Sequence, residues 1–139
     1  TLRSLILERD ADGKQVSYLA SEELFRVVKD LHARNMIVPI TGNLAGSHAL
    51  RELGRYLNEQ RLTVSALYVS NVEFYLWREP TFDAFAANVR TLPRDSRSVM
   101  IRSYFNNGGM FIAPASRSGN TLSAQLLQTI ESFVREHHM

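Results

Sequence analysis

The chain has 139 residues, of which 45% are hydrophobic and 22% charged, and these globular proportions exclude a largely disordered chain. It contains no cysteine, which excludes disulfides, thiolate metal sites and a cysteine nucleophile. Net charge is +2, from 16 basic against 14 acidic residues, and no apolar run approaches the ~20 residues of a membrane span.

The length suits one domain. The sequence starts at Thr1, with no signal-like segment after it, so it is expected to continue a longer gene product. Leu2, Leu5 and Ile6 are spaced for a short helical turn, and Asp10–Gly13 forms a turn with Gly13 free to take positive φ. Ser21, followed by Glu22 and Glu23, is an N-cap with acids at the positive end of the dipole. Leu24, Val27, Val28 and Leu31 then share one face of a helix expected over residues 22–34. Residues 36–40 (MIVPI) form an apolar run expected to be a buried strand, with Pro39 at its end. The glycine-containing loop Thr41–Gly46 leads into a helix over about residues 47–60, carrying Leu50, Leu53 and Leu57 on one face.

Residues 62–69 (LTVSALYV) give the strongest strand signal, nearly all apolar or β-branched, as in a parallel strand covered on both faces. A short helix or turn over 71–77 and a helix over about 82–91, ended by Pro93, follow. Residues 98–104 are a third strand, Asn106–Gly109 a turn, and Met110–Ala113 a possible fourth strand on an antiparallel edge. Leu122, Leu126, Leu127, Ile130 and Phe133 have the spacing of a closing helix over 121–136. Strands alternating with helices predict an α/β fold. The expected form is a three-layer, Rossmann-like, open and mainly parallel sheet of about three or four strands, with helices on both faces. It would be either one domain over residues 1–139 or half of one.

In such sheets ligands bind beyond the carboxyl ends of the strands. That rule selects Thr41, Gly42, Asn43, Asn71, Glu73 and Arg102 as candidate ligand-binding residues. The Gly42–Gly46 loop could present backbone N–H groups to an anion, or it could be a tight turn that needs glycine. It is neither G-x-G-x-x-G nor a P-loop. Glu73 could bind a ribose or amine or act as a base; equally, it could cap a helix or pair with an arginine. Arg102 stands where the strand pattern asks for an apolar residue, so it could grip a carboxylate or phosphate or form an inter-element salt bridge. His32, His48, His137 and His138 lack metal-ligand spacing, and no G-x-S-x-G elbow occurs. The aromatic set Tyr68, Phe74, Tyr75, Trp77, Phe82 and Phe85 could be packing, a flat-ligand site or a partner surface.

The segments Ser17–Glu23, Asn35–Gly46, Tyr68–Leu76 and Phe85–Pro93, the last leading into Ser98–Ser103, resemble the C-terminal half of a largely uncharacterised bacterial family. Its fold is Rossmann-like and similar to S-adenosylmethionine-dependent methyltransferases. The resemblance covers about residues 17–103. It implies that residues 36–40 and 62–69 are the fourth and fifth strands of a larger sheet. In the family the first glycine loop and the ribose-binding acid lie in the N-terminal half, which has no counterpart here. The resemblance therefore implies Asn43, Asn71 and Glu73 as the second wall of an S-adenosylmethionine pocket whose first wall is absent.

Two functional expectations follow. One is a methyltransferase-like enzyme or its C-terminal half, with S-adenosylmethionine as cofactor. The other is a non-catalytic binding or assembly module on the same scaffold. The partners expected are a small-molecule ligand, an upstream segment of the same protein or a second copy. A nucleic-acid partner would rest only on a sequence pI near 9.2, and the dispersal of the basic residues argues against it. If the chain is the second half of a sheet, a face or edge near residues 36–40 should lack its neighbours.

Overall fold

The computed structural model describes residues 2–105 and 123–137. The chain divides into two compact units, Thr1–Ile40 and Thr41–Met139.

In the first unit α1 (Leu2–Leu7) precedes the turn over Asp10–Gly13. The Asp10 carboxylate accepts from the backbone N–H groups of Asp12 and Lys14 at 3.0 and 2.9 Å, and Gly13 takes φ 77°. In α2 (Glu22–Ala33) the Ser21 hydroxyl accepts from Leu24 N at 3.2 Å, as the N-cap pattern predicts. The helix ends in a Schellman turn: Asn35 sits at φ 54°, Asn35 N donates to His32 O at 3.0 Å, and Met36 N donates to Leu31 O at 2.8 Å. That motif favours an apolar residue at the position Met36 occupies, which accounts for the first residue of the apolar run without a strand. Residues 36–40 are not the expected buried strand. They join no ladder, and Met36, Val38 and Ile40 are 62%, 67% and 61% exposed.

The second unit holds the sheet. Before it comes α3 (Ala49–Glu59), which also ends in a Schellman turn, with Arg61 at φ 56° and Leu62 N bonded to Leu57 O at 2.8 Å. Next come β1 (Ala66–Tyr68), α4 (Val72–Arg78), α5 (Phe82–Val89), β2 (Val99–Phe105), β3 (Ser123–Thr129) and α6 (Ile130–Glu136). Strand order is β1-β2-β3; β1 runs parallel to β2, with Leu67 beside Met100, and β3 runs antiparallel, with Gln128 beside Met100. The sheet is therefore mixed α/β, not mainly parallel.

Two further expectations are corrected. Residues 123–129 are a strand, not the first half of a closing helix. The Thr129 hydroxyl accepts from Ser132 N at 3.1 Å and so starts α6 only at Ile130. Within the second unit, helices on both faces are also not found among the described residues. Met100 and Arg102 on β2, with Leu67, face α4 and α6. On the opposite face Tyr68 and Leu127 are 58% and 65% exposed. Alternation along each strand enforces this division, because successive side chains point to opposite faces. The expected Asn106–Gly109 turn and the possible strand Met110–Ala113 lie outside the described residues.

The core fills the space between the covered sheet face and the helices. Phe85, Val89, Met100, Ile130 and Phe133 are fully buried, with Phe82, Leu76, Leu50 and Val69 around them. Phe82 stacks on Trp77 at 3.9 Å between ring centroids and meets Phe85 and Phe133 edge-on, so packing absorbs this part of the aromatic set.

Candidate functional site

The bonded polar groups fall into two clusters, both in the second unit. Neither is at a strand end as expected, because Arg102 is the middle residue of β2 and the loop Thr41–Gly46 follows no strand. The first joins two of the predicted site residues. Glu73 lies in the first turn of α4 and Arg102 on the covered face of β2; they are 4% and 6% exposed. Arg102 Nε donates to Glu73 Oε1 at 2.8 Å and Nη2 donates to Oε2 at 2.6 Å, a bidentate pair. Nη1 donates to Gln128 Oε1 on β3 at 2.9 Å, and the guanidinium stands 5.0 Å from the centre of the Phe133 ring on α6. One arginine thus links α4, β2, β3 and α6. Gln128 continues outward to Glu136 at 3.5 Å. The Ser132 hydroxyl donates to Glu136 Oε1 at 2.8 Å and holds that carboxyl below its usual range.

His137 follows α6, its ring 4.9 Å from Phe82 and 4.7 Å from Phe133 between centroids. Burial lowers its pKa from the ordinary value and the Arg102 charge lowers it further, against the opposing influence of Glu136, Glu73 and Asp83. The imidazole is held neutral within the aromatic wall.

The second cluster fixes the glycine loop. Asn88, 1% exposed on α5, donates through Nδ2 to Leu44 O at 2.8 Å and Gly46 O at 2.7 Å. Its Oδ1 accepts from Arg51 Nε at 2.8 Å. The Asn43 side chain accepts from Ala45 N at 2.9 Å, closing the turn from within. Gly42 is required for space: a Cβ there would overlap the Ala49 methyl. Thr41 is exposed, and Asn71 precedes α4 with no side-chain capping bond.

The structure therefore brings Glu73 and Arg102 together and keeps Thr41, Gly42 and Asn43 on one loop. No hydrogen bond among the described residues joins that loop to Asn71 or to the ion pair. Sequence reasoning missed Gln128, Phe133 and Asn88. For Asn88 a signal existed: it is the one polar residue, three positions after Phe85, on the buried face of a helix whose other polar residue is Asp83 in the first turn.

A general base needs a lone pair turned toward a reactant, whereas both Glu73 oxygens accept from Arg102. A ribose-binding acid would also have to be free. With both oxygens bonded to Arg102, Glu73 is not free to hold a ribose.

Fold and site together define a mixed α/β structure whose buried charges, Glu73 and Arg102, are bonded to one another. The chain belongs to the family described as a domain of unknown function, DUF7790, whose model matches residues 2–138. No curated protein matches the sequence.

Proposed function

We propose that this chain is a non-catalytic binding or assembly module on an α/β scaffold. One observation carries the reading: the buried charges Glu73 and Arg102 are bonded to one another, while the exposed sheet face keeps its apolar side chains Tyr68 and Leu127 in solvent. Catalysis requires free groups aimed at a reactant, whereas recognition of another protein needs exposed apolar and aromatic surface.

The alternative is the methyltransferase-like enzyme implied by the resemblance, with Thr41 and Asn71 as the polar residues still available to a ligand. Titration calorimetry with S-adenosylmethionine and its demethylated product separates the two readings. The module releases no binding heat with either ligand. Saturable heat that disappears in Asn71→Ala would overturn the module reading.

A further inference from the structure

We infer that β1 is a self-pairing edge, joining two copies of this chain into one continuous sheet. The inference rests on the module reading and names the partner. The hydrogen bonds Val69 N to Ile101 O and Val99 N to Ser65 O turn the peptide groups of Ser65, Leu67 and Val69 toward β2. Alternation then turns those of Ala66 and Tyr68 to the outer edge, where no described residue pairs with them. Both residues are exposed.

Such an edge is normally blunted by charge, proline, a bulge or shortness of the strand, and of these β1 has only its length of three residues. Residues 62–72 (LTVSALYVSNV) contain no charged residue and no proline. A second copy can therefore lie antiparallel to this strand without bringing like charges together. One register uses every free group: Ala66 opposite the partner's Tyr68 and Tyr68 opposite the partner's Ala66, with the two Leu67 residues meeting on the twofold axis. Four backbone hydrogen bonds form. In each pair the large tyrosine lies over the small alanine, so the strand is complementary in size to its own reverse. The twofold axis stands perpendicular to the sheet, so both helix layers fall on one side and both open faces on the other. The edge tyrosines then extend each apolar face across the junction.

Light scattering on the full chain tests this, with a mass of twice 15.8 kDa expected for the dimer. Ala66→Pro removes an outward N–H, and Tyr68→Lys places two charges at the junction. Each variant is expected to halve the mass. Leu127→Lys, on the open face away from the edge, leaves the dimer intact. If Ala66→Pro disturbs folding, Tyr68→Lys alone decides, because that side chain is already 58% exposed. A parent chain that stays monomeric at every concentration overturns the inference. So does a dimer that survives the edge substitutions. Neither result bears on the module reading, which the calorimetry tests separately.

Discussion

Removing one side of the Glu73–Arg102 pair tests whether it holds the fold together or is kept for a reaction. Glu73→Gln preserves shape but takes the bidentate carboxylate away from a guanidinium that is 6% exposed. Breaking a buried pair from one side costs about 3–5 kcal/mol, most of it the penalty of the stranded charge. Replacing both partners with apolar residues, as in Glu73→Leu with Arg102→Met, strands nothing and should return to within about 2 kcal/mol of the parent. Trp77 is the only tryptophan and stacks on Phe82 at 3.9 Å, so its fluorescence in urea reports this unit. With total stability of about 5–15 kcal/mol, the single substitution should remove a large fraction of it. At about 4–8 °C per kcal/mol for a unit of roughly 100 residues, Tm should fall by about 12 °C or more. An unchanged or raised midpoint in Glu73→Gln would refute the structural assignment, because groups kept for function often carry a stability cost.

Asn88→Leu leaves the Leu44 and Gly46 carbonyls and Arg51 Nε without their partner, so a loss of about 2–4 kcal/mol in urea and faster amide exchange at Ala45 are expected. In Gly54→Ala the new Cβ would stand 2.8 Å from Thr91 O; thermal unfolding should show net destabilisation despite the ~1 kcal/mol that helix propensity favours. Arg61→Gly relieves the left-handed position at φ 56° that ends α3 and should raise stability by about 0.5–1 kcal/mol in the same measurement. His137 is held neutral in the fold, so the unfolded chain binds its proton more readily. Its contribution is therefore complete above about pH 6.5 and is lost as pH falls below that. His137→Gln should flatten the urea midpoint over that range, and an unaltered pH dependence would count against the aromatic cage.

Periodicity located the helices because caps and apolar faces are local signals. Ser21 beside two glutamates marked the start of α2, and Leu50, Leu53 and Leu57 marked the buried side of α3. It failed where a local pattern had two physical solutions. Residues 36–40 are apolar enough for a strand, but a ladder needs a neighbour, and the Schellman turn already gives Met36 a place. Leu122, Leu126, Ile130 and Phe133 fit a helical stripe, yet residues 123–129 satisfy their backbone against β2 and the Thr129 cap begins the helix later. Among site residues, Glu73 and Arg102 were each legible as a charged candidate, although Arg102 lies in the middle of β2 and not at its end. Their bond to each other was not, because 29 positions separate them and only the parallel register of β1 and β2 brings them together. Gln128 depends on a second register, the antiparallel pairing of β3 on the other side of β2, so no local pattern could reveal it.

The two sides of the sheet answer different physical demands. On the covered side a buried arginine requires complete bonding, and Glu73, Gln128 and the Phe133 ring supply it from three other elements. That arrangement locks the helices onto the strands and leaves those groups committed. On the other side, and along the free edge of β1, backbone and apolar groups are left in solvent without charges to deter pairing. If β1 joins two copies, installing an edge charge should abolish the assembly and remove only the concentration-dependent part of the Trp77 unfolding transition, whereas breaking the Glu73–Arg102 pair should lower that transition at every protein concentration.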